Sequence, residues 1–546
     1  MFGRHAARKL VNQVKCNKGV TLRPIVLLPA SCSFLLYARK QQTYFTSLCT
    51  LAKMSRWSNF RNRPQPVTTA GRVGDPLLGT TTFRRGWCAS STPIPHDVTD
   101  GWDELSLGAF AFRVHPALSF AAASDGRLTA TILGDGINLD NSSQRGTELA
   151  RQMLSKLQES RNAAVRFAAY LGGRFAVVLE DPDGAIALTD CAGTLPIFWS
   201  RQGRLTVLSS YVHLVGELTQ SAADAVARSY IKDARELKTP GTIYVPGVRT
   251  PFIDVRPILP NHLLDLGVQV SHQRYYPFPD TKLERDPNVA FDAFHASFTA
   301  HTEALTRLGR VGLSLTGGLD SRAALAASRS HLGVDAISWT YIFPEDPPPA
   351  MLLDTVNGNH LAFAVGLPHK IIPLHESQDK AFVEAYRRTF TYTPQFPRVP
   401  HSYHDQLPQD LVQLQCMVSE IGTGFYKNRR GEPNLERLSY LYCPHPFGKT
   451  LAVREAWEEH HEYAPIPGDT EVDFHDLFYW ETRIGRWGAL RIQEIDLAHH
   501  IVSPFNSRTI IEALQGPPLA ERKDKQALKR FIGIHAPDFE NVAITS

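Results

Sequence analysis

Six residues carry the clearest chemistry in this chain: Thr316-Gly317-Gly318-Leu319-Asp320-Ser321. Before them Val311 to Leu315 is a short apolar run that reads as a buried strand. After them Ala323-Ala324-Leu325-Ala326-Ala327 reads as a helix. Glycines let backbone amides approach an anion, and a helix N-terminus adds unpaired N–H groups and a positive dipole end. Asp320 is a candidate Mg²⁺ ligand, since Mg²⁺ takes one or two carboxylates together with phosphate oxygens. The stretch therefore reads as a strand–loop–helix phosphate cradle. It reads equally as a Gly-Gly turn with an Asp/Ser helix cap. The lysine of the common G-x-x-x-x-G-K-[ST] phosphate loop is missing.

Around this stretch, strands and helices alternate. Val334 to Tyr341 is the next expected strand, Asp354 to Val365 a helix, His369 to Leu374 a strand, and Leu414 to Tyr426 a strand ending in a glycine-bearing loop. Such alternation predicts a doubly wound parallel sheet with ligand at the carboxyl ends of its strands. Trp339 to Tyr341 at one such end are a candidate adenine wall. A helix over Val289 to Leu308 leads into the opening strand. Asp280 to Asp286, polar and proline-bounded, reads as a linker. Upstream the pattern is β-rich: Leu128 to Leu133, Leu171 to Glu180 and Ala185 to Asp190 read as strands, and Gly146 to Gln158 as a helix. An Asp181-Pro182-Asp183-Gly184 turn predicts a hairpin.

With 546 residues, 43% hydrophobic and 21% charged, the chain has the composition of a globular protein of two or three domains. Residues 1 to 74 hold thirteen Lys and Arg and no acid. They read as a basic leader: a transit sequence, a disordered extension, or translation from upstream of a start at Met54. The remainder is net acidic, which argues against nucleic acid as a partner. Seven scattered cysteines without a metal spacing point to free thiols in a reducing compartment, and the cytoplasm is expected. Pro24 to Ala38 is too short and too broken by Pro29 to span a bilayer.

The S-L-T-G-G-L-D-S-R stretch from Ser314 to Arg322 resembles the pyrophosphate loop of ATP pyrophosphatases and, with its flanks, the asparagine synthetase family. The order L-x-G-x-F, D-x-x-G, D-x-x-G-x-x-P between Leu171 and Pro196 is similar to that family's glutamine-amidotransferase half. Tyr230 to Pro277, with Lys238-Thr239-Pro240, resembles its closing segment. The resemblance implies a two-domain α/β protein. An N-terminal αββα sandwich of N-terminal-nucleophile-hydrolase type, residues 98–278, would precede a doubly wound ATP-pyrophosphatase domain, 286–546, with a helical C-terminal part. Residues 1–75 would lie outside the fold.

For the site, it implies ATP and pyrophosphate contacts from Leu313, Ser314, Thr316, Gly317, Gly318, Leu319, Asp320, Ser321, Ser419 and Gly422. Mg²⁺ would sit on Asp320, with catalytic roles for Glu420 and for Lys523 or Lys525. The implied activity adenylates a carboxylate, releases pyrophosphate and passes the acyl group to an amine, as in asparagine synthesis from aspartate. A homodimer is compatible with this. Three departures stand out. The family's Asp-Glu pair after Ser419 is replaced by Gly424-Phe425, and its pocket-closing aspartate by Ser507. The N-terminal cysteine nucleophile is absent, Cys88 being the nearest candidate and better read as a buried thiol. Relatives without that cysteine include β-lactam synthetases and lasso-peptide cyclases, so a glutamine-independent ligase on a specialised substrate is a second reading. A non-catalytic ATP-binding scaffold is a third.

Overall fold

The computed structural model describes residues 65–67, 81–95, 99–236, 244–393, 396–429, 432–443, 446–468 and 470–544. The basic residues 1–64, with Met54, Cys16, Cys32 and Cys49, lie outside the described residues, as does Lys238-Thr239-Pro240. The described part is a mixed α/β structure with two antiparallel sheets and one parallel sheet.

Period-2 alternation builds the antiparallel layers. In the Gly172–Asp181 strand, Ala176 and Val178 face Trp87, Phe112 and Leu208 of the six-stranded sheet. Phe175, Val177 and Leu179 face the helices Thr147–Glu159 and Arg161–Ala169. A seven-stranded sheet is thus buried on both faces, with a second sheet on one side and helices on the other. The Asp181–Gly184 turn joins two antiparallel strands, Gly172–Asp181 and Gly184–Thr189. Two boundaries differ from the sequence reading. Gln65–Val67 pairs with Ala122 to Ser124 at the edge of the seven-stranded sheet. Trp87–Ser90 lies inside the six-stranded sheet, between Leu205–Ser209 and Phe110–Val114. This part of the fold therefore begins before residue 98.

Asp286 opens the long helix Pro287–Thr306, its carboxylate accepting from the amides of Asn288 and Val289, with proline at the first helical position. The helix delivers the chain to the parallel sheet, whose strands lie in the order His369–Pro373, Ile337–Ile342, Arg310–Ser314, Leu411–Leu414, His500–Val502. All four pairings are parallel. The chain builds outward from Arg310–Ser314 in one direction, then returns to its other side with Leu411–Leu414. The order reverses between those two strands, where α/β sheets open a ligand crevice.

The Val502–Arg508 segment, which the family resemblance puts at the substrate pocket, is instead joined to the N-terminal layers. Asn506 is fully buried and donates from Nδ2 to Gly173 O (2.6 Å) and Asp190 Oδ1 (2.9 Å), while accepting from Ala192 N. Arg174 pairs with Asp496 at 2.5 Å. A short amide reaches where a carboxylate would repel Asp190, which accounts for Asn506 at this position.

Candidate functional site

Leu313 and Leu414 face each other in register at the end of the switch-point strand pair. One residue later the strands part: Leu315 N donates to Trp339 O, and Gln415 N to Val502 O, each turning toward its outer neighbour. The crevice left between them is bordered by Thr316–Ser321 on one side and Cys416–Gly424 on the other.

The first loop is held by its own hydroxyls. Thr316 N donates to Ser321 Oγ (3.2 Å), and Gly318 N to Thr316 Oγ1 (3.2 Å). Arg322, buried in the following helix, donates to Gly317 O and to the carbonyls of Phe539, Val542 and Ala543. The helix Leu319–Ser328 starts on Gly318 and has no side-chain cap. Asp320 is therefore not a capping residue: its Oδ2 accepts from Lys525 Nζ at 2.5 Å. The Gly317 amide is taken by a residue the sequence reading passed over, Asp354, whose Oδ1 accepts it at 2.9 Å. Asp354 read only as the start of a helix, which in fact spans Pro349–Ala364; nothing in the local pattern marked a loop contact.

Glu420 lies across the crevice. The expected strand from Leu414 to Tyr426 stops at Leu414, and Glu420 opens a one-turn helix, Glu420–Thr423, closed by Gly424 in the left-handed region. Burial pushes the Glu420 carboxyl up to about 7, the Asp320 charge adds to the push, and Lys525 opposes it. Burial likewise pushes the Cys416 thiol and the Tyr479 hydroxyl well up, with Asp320 and Glu420 contributing to both. Asp320, Glu420, Lys525, Cys416 and Tyr479 thus form one electrostatic cluster. Tyr479 begins a π-helix over Tyr479–Gly488, a form that recurs at functional sites. Its ring stacks on Phe425 (centroids 4.4 Å apart), so the residue standing in for the family's acid supplies an aromatic wall.

Lys525 reaches the cluster because its backbone is left-handed (φ 53°), a sharp turn between the helices Leu519–Lys523 and Gln526–His535. Lys523 is not brought there; its ammonium donates to Lys427 O. Leu313 is a core residue with both backbone edges paired, and Ser314 ends its strand half-buried beside Tyr403. Leu319 packs its side chain against the core. Ser419 is fully buried and bonds to Cys416 O and Glu420 Oε2. Gly422 serves packing: a Cβ there would lie 2.4 Å from Leu514 Cβ. Trp339 cannot wall an adenine, being fully buried against Tyr403 and His499.

For a cation, Asp320 keeps one oxygen: Oδ1 is buried without a hydrogen-bond partner. Among the described residues no group of three or more His, Cys, Asp or Glu could hold a metal alone. Mg²⁺ fits here only with oxygens from a bound phosphate, its usual mode. In the N-terminal layers Cys88 is fully buried within its sheet, and burial pushes its thiol up to about 12. No helix among the described residues is long and apolar enough to cross a membrane.

No protein-family model and no curated protein matches this chain. Among solved structures, one similar chain is the glutamine phosphoribosylpyrophosphate amidotransferase from B. subtilis complexed with ADP and GMP. It is 10% identical, with 62% of this chain and 71% of that chain covered, at a TM-score of 0.21. Another is described as the allosteric regulatory enzyme of purine biosynthesis, 12% identical, with 65% and 73% covered, also at 0.21. Superpositions of that quality fall below what a shared fold gives.

Proposed function

We propose that this chain is an ATP-dependent amide-bond-forming ligase, which adenylates a carboxylate, releases pyrophosphate and transfers the acyl group to an amine. One observation carries the reading: the Thr316–Ser321 loop, the Asp320–Lys525 pair and Glu420 meet at the switch point of a parallel sheet. Amides at the start of the Leu319–Ser328 helix point their dipole end into the crevice and suit a polyphosphate. Lys525 offsets the negative charge that grows on a departing pyrophosphate, the kind of electrostatic help this chemistry needs most. Mg²⁺ on Asp320, bound with the nucleotide, would supply further charge neutralisation. Glu420, poised near neutral pH, is suited to take a proton from an attacking amine.

The resemblance to asparagine synthetases supports a two-domain reading, an amidotransferase-like part followed by a pyrophosphatase-like part. Within that reading the sealed Cys88 favours the glutamine-independent version, in which the amine is not released by a cysteine of this chain. The test is exchange of radiolabelled pyrophosphate into ATP by the full chain, run against a panel of carboxylic acids. The ligase predicts exchange that needs one class of acid and is lost in Asp320→Ala. ATP binding without exchange on any acid would leave a nucleotide-binding scaffold instead.

A further inference from the structure

Lys525 belongs to two places at once. Its ammonium meets Asp320 beside the loop, and the residue also lines a recess of about 380 Å³. The recess opens between the start of the Pro287–Thr306 helix, the end of the Arg508–Gln515 helix and the turn that carries Lys525. Its lining is mixed: Phe291, Ala513, Leu514, Pro517, Ala527 and Leu528 stand beside polar residues such as Asn288, Thr423 and Gln526, and most of the surface presented is apolar. A volume of that size falls in the range of small-molecule sites, which are typically apolar with a few placed polar groups.

The charges on it are unequal. Arg522, Lys525 and Arg530 line the recess against a single acid, Glu521. Arg522 is consumed by Asp476 and by the Gly422 carbonyl. Arg530 donates to Asn288 Oδ1 and lies over the Phe291 ring at 3.9 Å, with no carboxylate partner among the described residues. Lys525 has three N–H donors, and one carboxylate oxygen of Asp320 uses one of them.

We propose that this recess seats the body of the acyl substrate, and that the acid taken is an amphipathic monocarboxylate with an uncharged apolar chain or ring. The proposal rests on the ligase reading and narrows its substrate class. The carboxylate sits at the Lys525 end, where the recess and the loop share a residue, and the apolar body lies along Pro517 and Ala527. Aspartate suits this site poorly. It has no apolar body to lay against Pro517 and Ala527, which the recess leaves half-buried.

The test is calorimetric titration of the full chain, without nucleotide, with octanoate, octan-1-ol and aspartate. Octanoate is expected to bind about tenfold or more tightly than the alcohol, the value of one charge-assisted hydrogen bond, and aspartate to give no heat. Ala527→Trp fills the recess and abolishes octanoate binding. Lys525→Gln brings octanoate down to the alcohol's affinity, and serves alone should the tryptophan variant not fold. Aspartate binding in place of octanoate, no octanoate binding at millimolar concentration, or octanoate binding untouched by both variants overturns the proposal. Octanoate binding as expected, without acid-dependent exchange, upholds the recess while removing the ligase reading. Exchange with aspartate but not octanoate does the reverse.

Discussion

Two places in this molecule carry residue types that could do nucleophilic or acid–base work, and burial treats them in opposite ways. Cys88 sits in the interior of an antiparallel sheet, with strands paired on both sides of its own and its side chain fully buried. Burial there pushes its thiol up to about 12, so the thiolate is lost, and no surface is left for a substrate. At the parallel sheet's switch point the strands separate, and the same desolvation acts on groups that still border a crevice. Glu420 is pushed to about 7 with Asp320 and Lys525 beside it, and all three remain partly exposed. A raised pKa is thus a sign of function only where the topology also opens a path. Antiparallel packing closes that path at Cys88, and the reversal of strand order opens it at Asp320.

The comparison can be broken most sharply at Lys525. Lys525→Ala should lower ATP–pyrophosphate exchange by about 10²- to 10³-fold, the usual cost of one preorganised electrostatic contact. Lys523→Ala should leave exchange within about twofold, since its ammonium serves a carbonyl on the surface. Equal losses in both would mean that the crevice geometry does not select between them. Next in size is Gly422→Ala. The added Cβ meets Leu514, so unfolding in denaturant should show a loss of about 1–3 kcal/mol.

Glu420 sharpens the comparison through pH. Its carboxyl titrates near 7 in the folded chain and near 4.5 unfolded, so the folded state binds the extra proton between those values. The stabilisation is complete below about 4.5 and is lost as pH rises through about 7. Glu420→Gln should remove that slope from a plot of stability against pH. It should also remove a rise in amide formation with a midpoint near 7 while leaving pyrophosphate exchange in place. The smallest effect belongs to Cys88→Ala. It should cost about 1 kcal/mol of stability from the small cavity and change neither exchange nor amide formation, and native Cys88 should resist thiol alkylation. A glutaminase activity lost in that variant would reverse the contrast between the two regions.

Local pattern was enough for the elements. The apolar run before Thr316, the alanines after Ser321, the helix that follows the linker and the Asp181–Gly184 hairpin all follow from periodicity, turn chemistry and capping, which act over a few residues. Pattern failed where a contact depends on chain far away. Leu414 to Tyr426 reads as a strand ending in a glycine-bearing loop, yet the strand is Leu411–Leu414 and the chain beyond it turns into the short helix Glu420–Thr423. Trp339 lies within the strand Ile337–Ile342, not at its end, and is enclosed by Tyr403 and His499 from two other segments. Asp354 and Tyr479 carried no local mark at all.

From sequence alone came the strand–loop–helix at Thr316–Ser321 and a parallel αβ alternation around it, since backbone propensity and glycine freedom are local properties. The tertiary structure decided which lysine meets Asp320, that Asp354 holds the Gly317 amide, that Glu420 titrates near neutrality, and that Cys88 is sealed. Each of those is a matter of burial and of distance between segments remote in sequence. Desolvation and Coulomb interactions are set by where the chain's other parts come to rest.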